Sequence, residues 1–254
     1  MRGKGTLYFL LVSMFVSGCS KHQVPITKRD QLMLLSKKDE LKIGRNNFNG
    51  ILKKSKISRD EEKKEMLNRV GQRLVSTITN KKLNWKFVLI DNQSINASCF
   101  PGGKVIVNSG VFEVAKNDEQ LATILSHEIA HAISRHGSAR ISRNRVINGL
   151  EGAGVLLAGM VNPFMIIPFV MAYEVGTKNG IINSSIRVEE NEADTIGLHL
   201  MKKANYNLNA ALDFWNNLKI HNKQKKHMTY STHASYDVRI KNIKKTISKI
   251  NNKS

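Results

Sequence analysis

Two histidines and a glutamate stand in the run His127-Glu128-Ile129-Ala130-His131, within a stretch whose pattern predicts an α-helix. Residues four apart on a helix share a face, so both imidazoles can reach one metal ion. Glu128 lies beside them, where it can take a proton from a metal-bound water and pass it to a leaving amine. The charge of Zn²⁺ lowers the pKa of such a water toward about 7. The run therefore predicts zinc-dependent peptide hydrolysis with Glu128 as general base.

A catalytic zinc site also needs a third protein ligand and an open position. The spacing of metzincins would place a third histidine at Gly137, and His136 misses that position by one residue. Downstream, Glu190 and Asp194 are four apart in a predicted helix. One can bind the metal while the other accepts a hydrogen bond from a ligand histidine. We predict Glu190 as the third ligand, Asp194 as the acceptor and a structural role for His136, against the alternative of an acidic solvated face.

Helices and a small sheet must hold these residues in place, and the apolar pattern predicts both. Apolar residues repeat at helical spacing after the capping box Ser58-Arg59-Asp60-Glu61, and compact β-branched runs mark strands. The predicted fold class is α+β, predominantly helical, with a small β-sheet and an active-site helix. The predicted helices are 58–80, 117–135, 187–203, 208–220 and one from Ser235, with a weaker pattern over 31–54, and the predicted strands are Trp85–Ile90 and Lys104–Val107.

These motifs resemble a known peptidase family at several points. The run 127–131 combined with Glu190-Asn191-Glu192-Ala193-Asp194 resembles the gluzincin peptidases of the HtpX and CAAX-prenyl-endopeptidase family. The segment 96–105, followed by Gly110, is similar to the segment that precedes their metal helix. The resemblance implies a gluzincin-type zincin domain that binds one Zn²⁺ per chain.

The C-terminal part carries a further signature of the same family. Ser231-Thr232-His233-Ala234-Ser235 with Arg239-Ile240 resembles it, although Ala234 stands where proline is usual. The resemblance covers residues 64–254, and the length of the chain together with Val16-Ser17-Gly18-Cys19 points to the short outer-membrane lipoprotein branch, the YcaL-like proteins. It implies endopeptidase activity on damaged or stalled envelope proteins, including outer-membrane barrels.

Two further site predictions follow from the resemblance. An extended substrate is expected to add to the edge strand above the metal, here Asn96, Ala97 and Ser98, unless this is a core strand without substrate contact. His233 is expected to occupy the fourth metal position as a latch, and the alternatives are a donor to the developing oxyanion and an ordinary surface residue. Loss of a latch would raise proteolysis, whereas loss of a stabiliser would lower it.

The N-terminal residues predict export. Two basic residues and an apolar stretch at 7–16 lead to Val16-Ser17-Gly18-Cys19. This order is typical of a secretory signal, which we assign to residues 1–18. The four residues 16–19 resemble the bacterial lipobox, in which the signal is cut before the cysteine and the cysteine is lipidated.

We therefore predict a lipid anchor on Cys19, a tether over 19–30 that contains Pro25, and a peptidase domain over 31–254. Ser20 in place of aspartate resembles the arrangement that is sorted to the outer membrane, which would leave the domain facing the periplasm. The alternative is an ordinary Cys19, for which Cys99 is the only possible disulfide partner in this chain. With lipid on Cys19, Cys99 is expected to be free and buried.

The chain is strongly basic, with 40 Lys and Arg against 20 Asp and Glu and a net charge of +20. A nucleic-acid binder would concentrate such charge in one stripe with aromatic stacking platforms. Aromatic residues make up only 6% and the lysines are scattered, so no nucleic-acid partner is expected. Solvated helix ends and loops account for most of the charge, and attraction to an anionic membrane is the alternative.

An uncharged apolar segment, 152–173, separates the predicted ligands. One membrane crossing would put Glu190 on the side opposite to His127 and His131, which excludes a single span. A buried helical hairpin is the leading prediction, and the alternatives are a loop that dips into the membrane and a double crossing by two short helices.

Together these features predict a lipid-anchored zinc endopeptidase of the bacterial periplasm that degrades misfolded or stalled envelope proteins. The alternative is a zinc-containing periplasmic chaperone or assembly factor without proteolysis. The presence of Glu128 argues against that alternative, because a structural zinc site needs no general base.

Overall fold

The structure is a computed structural model that describes residues 20–79, 83–225 and 236–252. The predictions for the signal 1–18, for Cys19 and for His233 fall outside these residues. In chain order the elements are β1 (Ser20–Gln23), β2 (Asp30–Met33), α1 (Lys37–Leu52), α2 (Glu61–Ser76), β3 (Lys86–Ile90), β4 (Ala97–Phe100), β5 (Lys104–Asn108), α3 (Asp118–Ile133), α4 (His136–Val161), α5 (Ile166–Gly176), α6 (Asn183–Lys203), α7 (Ala210–Lys225) and α8 (Tyr236–Asn251). This is the predominantly helical α+β fold that the sequence predicts.

Helix α3 lies at the centre of the core and packs against α2, α6, α7 and β4. Asn117 caps its first turn by accepting a hydrogen bond from the Gln120 backbone N–H. Leu121, Leu125 and Ile129 are completely buried, and burying each such side chain stabilises the fold by about 1.5–3 kcal/mol. The apolar residues of this helix thus fix the position of its two histidines.

Helix α6 packs closely on α3 because a glycine stands at the contact. A Cβ atom built on Gly197 would lie 3.1 Å from the Ser126 hydroxyl and 3.2 Å from the His127 backbone nitrogen. A larger residue would therefore push the two helices apart. This close approach brings the carboxylates of α6 up to the histidines of α3.

The three-stranded sheet has the order β3-β5-β4, with β3 parallel and β4 antiparallel to β5. Gly102 and Gly103 form the turn between β4 and β5 with φ angles of +93° and +80°, which other residues rarely adopt. Because β4 is last in the strand order, it is an edge strand, and it packs against α3. Both predicted strands are confirmed as β3 and β5.

The segment predicted as a tether is folded onto the domain from residue 20 onward. Strands β1 and β2 pair as an antiparallel hairpin, with Ser20 opposite Met33, and Val24 is completely buried in the main core. The turn contains Pro25 and uses positive φ angles at Ile26 and Lys28. For residues 20–30 the tether interpretation is wrong, because the apolar contacts of Val24 and the pairing with β2 hold them in place.

The apolar segment 152–173 forms a helical hairpin, as predicted, but it is exposed instead of buried. The second half of α4 and the helix α5 are joined by a short 3-10 turn at Pro163–Met165. At the tip, Val161 is 85% exposed and Phe164 is 88% exposed. Within the described residues, no helix is both long enough and apolar enough to span a membrane.

The remaining predicted helices are present with shifted ends. Asp60, rather than Ser58, caps α2 by accepting a hydrogen bond from the Lys63 backbone N–H. Helix α2 ends at Ser76, four residues before the predicted end at Asn80. The helix predicted at 187–203 starts earlier, at Asn183, and the one predicted at 208–220 spans Ala210–Lys225.

Candidate metal centre

His127 and His131 on α3 and Glu190 on α6 converge on one point. The two Nε2 atoms are 3.1 Å apart, and Glu190 places one carboxylate oxygen 3.3 Å from His127 Nε2 and the other 3.4 Å from His131 Nε2. Glu190 is completely buried. The structure therefore brings the three predicted ligands together.

The spacing of these atoms suits zinc. Ligand atoms at about 2.0–2.1 Å from a tetrahedral zinc are separated from one another by about 3.3–3.4 Å. The observed separations of 3.1–3.4 Å approach that value without any rearrangement. In the described part of the chain, these three residues form a group able to hold a metal ion. Two imidazoles and one carboxylate are also a ligand set found in catalytic zinc sites, with the fourth position left for water.

Asp194 lies where the predicted acceptor for a ligand histidine is expected. Its carboxylate lies 3.0 Å from His127 Nδ1, which leaves His127 Nε2 directed at the other ligands. Burial raises the pKa of Asp194, but the Arg239 charge and the hydrogen bond from His127 outweigh it and leave the pKa lowered. Asp194 therefore remains a carboxylate that accepts a hydrogen bond from the ring.

Glu128 is directed toward the edge of the sheet. Its carboxylate accepts a hydrogen bond from the Cys99 backbone N–H of β4 at 3.2 Å. Burial is the main cause that raises the pKa of Glu128 to about 7, the range in which a group can accept and return a proton near neutral pH. The free edge of β4 consequently borders the candidate base, next to the predicted substrate strand Asn96, Ala97 and Ser98.

Arg239 on α8 is the site residue that sequence reasoning underestimated. Its side chain is completely buried, and its Nε donates to Asp194 Oδ2 at 2.9 Å. It also lies 3.4 Å from a Glu190 oxygen, and its guanidinium stands 3.7 Å from the centre of the Trp215 ring. One arginine thus neutralises part of the charge of two buried carboxylates. A signal existed in the sequence, because Arg239 shares the face of α8 that buries Ile243.

Replacing Arg239 with alanine is expected to lower the free energy of unfolding of the metal-free protein by about 3–5 kcal/mol, because Asp194 loses its buried partner. Urea unfolding measures this loss. Arg69→Ala is the control, since Arg69 forms an exposed ion pair with Asp118 that should contribute little to stability. Equal losses in the two variants would contradict the role of Arg239.

A second network supports His131 from the other side. His136 Nδ1 lies 2.9 Å from His131 Nδ1, and His136 Nε2 lies 3.3 Å from Glu192. Glu192 in turn accepts hydrogen bonds from Thr27 at 2.8 Å and from Arg29 at 2.6 Å. Burial raises the pKa of Glu192, but these partners outweigh it and lower the pKa to about 2. His136 therefore contacts a ligand, in agreement with its predicted structural role, and the β1–β2 hairpin is attached to the site.

The neighbouring Glu189 belongs to a different contact. It pairs with Arg140 at 2.5 Å and with Arg143 at 3.0 Å, and so joins α6 to α4. Arg140 also lies 3.2 Å from Glu190. These ion pairs hold the part of α6 that carries Glu190 against α4.

Cys99 is a free, partly buried cysteine among the described residues. Burial raises the pKa of its thiol well above the usual value, so the thiol stays protonated. Its backbone N–H, rather than its sulfur, is the group that faces Glu128.

The ligand set and the neighbouring glutamate match the arrangement found in catalytic zinc sites of peptidases. The family model described as peptidase family M48 matches residues 61–247, and the chain belongs to this family. This finding confirms the family resemblance of the motifs.

The chain is also similar to named proteins of this class. It is 31% identical over 153 residues to the beta-barrel assembly-enhancing protease of Escherichia coli (strain K12), a match that covers 59% of this chain and 31% of that protein. It is 33% identical over 157 residues to the putative beta-barrel assembly-enhancing protease of Vibrio cholerae, covering 61% and 32%. It is 31% identical over 182 residues to mitochondrial metalloendopeptidase OMA1 of Schizosaccharomyces pombe, covering 70% and 51%. The chain thus spans about a third of the length of the first two relatives and half of the third.

Proposed function

We propose that this chain is a lipid-anchored zinc endopeptidase of the bacterial periplasm that cleaves unfolded or misassembled envelope proteins. The observation that carries the proposal is the position of Glu128 between the candidate metal ligands and the edge strand β4. The names of the relatives support the substrate class, because two of them are described as assisting β-barrel assembly. Outer-membrane location is part of the proposal and rests on Cys19 and Ser20.

His127, His131 and Glu190 would hold the zinc, which when bound polarises the scissile carbonyl and lowers the pKa of the attacking water. Glu128 accepts a proton as the water oxygen bonds to the carbonyl carbon, and it returns this proton to the amine when the C–N bond breaks. Asp194 and Arg239 keep His127 and Glu190 in place during both steps. The protein groups therefore supply the base, the leaving-group acid and the positioning.

Strand β4 is proposed to select extended substrates. A peptide that pairs with the free edge near Asn96, Ala97 and Ser98 would run past Glu128, whereas a folded protein has few strands free for such pairing. Digestion of a permanently unfolded protein and of its folded form, each with and without a zinc chelator, tests the proposal. Cleavage of the unfolded protein alone, abolished by the chelator, is expected. Binding without cleavage would instead support a chaperone.

Replacing Cys19 with serine is expected to abolish incorporation of radioactive fatty acid and to leave the protein soluble or uncleaved as a precursor. The physical reason is that the thiol is the acceptor of the diacyl group. Cys99→Ser, which changes the other cysteine of the chain, should be labelled like the parent. Labelling of the Cys19→Ser protein at the parent level would refute the lipid anchor.

A further inference from the structure

The apolar hairpin, residues 152–173, exposes apolar side chains along both of its helices and at its tip. Met160, Val161 and Phe164 at its tip are 80%, 85% and 88% exposed, and α5 has no buried residue. A helix that is apolar all round is typically buried in a core or surrounded by lipid. The hairpin is not buried in the protein core. Its exposed apolar residues also include Leu156, Leu157, Met165, Ile167 and Met171.

The two helices of the hairpin pack tightly against one another. A Cβ atom on Gly154 would meet the ring of Phe169, and the Tyr173 hydroxyl donates to the Ile147 carbonyl at 2.7 Å. Phe169 and Tyr173 also stack, with ring centres 5.7 Å apart. The exposed apolar residues of the hairpin consequently project from the domain as one unit.

We propose that this hairpin inserts its tip into one leaflet of an anionic lipid membrane. A protein groove would cover one face of the projection and leave the other faces in water, whereas acyl chains surround it on all sides. The apolar part of α4 over 152–161 is about 15 Å long at 1.5 Å per residue, which matches half of a hydrocarbon core of about 30 Å. Both ends of a hairpin stay on the same side, so Glu190 remains with His127 and His131.

Charge supports an anionic surface as the occupant. The whole chain carries a net charge of +20, and no charged residue interrupts 152–173. Anionic lipids attract basic residues that flank an inserted segment. Of the charged residues nearest the hairpin, Arg145, Lys178 and Arg187 are basic and Glu151 and Glu174 are acidic, whereas Arg140 and Arg143 are already paired with Glu189.

Fluorescence quenching by lipid tests the insertion in the full chain. Phe164→Trp places an indole at the tip, and vesicles of phosphatidylethanolamine and phosphatidylglycerol with brominated acyl chains quench only indoles that enter the hydrocarbon. The emission of this variant should shift to shorter wavelength, and most of the added intensity should be lost, because the indole at the tip lies in the hydrocarbon. The result does not depend on how the N terminus is attached, because quenching reports the position of the tip.

Ile51→Trp is the matched control, since Ile51 is an exposed apolar residue on α1, away from the hairpin in the chain. It should show no quenching, and Trp85 and Trp215 contribute equally to both variants. Adding Met160→Glu and Ile167→Glu to the Phe164→Trp chain should abolish the quenching while zinc content and circular dichroism stay unchanged.

Three results would overturn the proposal. The first is an unquenched indole at position 164, whether or not the protein binds the vesicles. The second is equal quenching at positions 51 and 164. The third is a shift in emission that needs no lipid, whether it grows with protein concentration or appears on adding an unfolded protein, because it would assign the tip to a second copy or to a protein partner.

Discussion

Replacing Glu128 with glutamine is expected to abolish detectable proteolysis while one zinc per chain stays bound. The amide keeps the shape of the side chain and can still accept a hydrogen bond from the Cys99 N–H, but it cannot take a proton from water. Loss of a general base lowers turnover by about 10²- to 10⁴-fold. Cleavage of a fluorogenic unfolded substrate gives the rate, and elemental analysis gives the zinc content.

Glu119→Gln is the matched control, because it makes the same change on the same helix, two turns before the metal ligands. It should retain the parent rate and the parent zinc content. Undiminished cleavage by Glu128→Gln would end the proposed mechanism. Loss of zinc from that variant would show that Glu128 contributes to binding the metal and not to proton transfer alone.

Replacing Glu190 with alanine is expected to remove both zinc and activity. In the parent, Glu190 lies 3.3–3.4 Å from both imidazole rings. The variant keeps the two imidazoles and loses this carboxylate, the only negatively charged residue among the three predicted ligands. Four-coordinate zinc sites in enzymes use three protein ligands, so two should bind zinc much more weakly. Titration of the metal-free protein with zinc, in competition with a chelating dye, measures the affinity.

Glu189→Ala separates loss of the metal from loss of an ion pair. Glu189 is buried like its neighbour, but it contacts Arg140 and Arg143 instead of the histidines. This variant should lose stability and keep its affinity for zinc. Parent affinity in Glu190→Ala would place the third ligand elsewhere in the chain.

The metal centre could be predicted from the sequence because its geometry is local. His127 and His131 are one helical turn apart, and Glu190 and Asp194 have the same spacing on another helix, so each pair shares a face whatever the tertiary fold. The contact between the two helices is not local. It depends on the close approach at Gly197, which no periodic pattern specifies.

Other features escaped prediction for physical reasons. Strands β1 and β2 have only four residues each, too few for a clear alternation, and their turn uses Ile26 and Lys28 at positive φ without any glycine. The hairpin at 152–173 was predicted from the position of the ligands, but an apolar pattern does not tell whether such a segment is buried or exposed. Arg239 was missed as a partner of Asp194, since pairing between α8 and α6 is set by tertiary packing.

The folded β1–β2 hairpin shortens the flexible connection between the predicted lipid site and the candidate catalytic centre. A free tether over 19–30 would give the domain a reach of roughly 40 Å from the membrane. Strand β1 instead begins at Ser20, and Thr27 and Arg29 are attached to Glu192 beside the metal helix. An acyl chain on Cys19 would therefore hold the enzyme at a fixed height, and only substrates that come to the bilayer surface would be within its range.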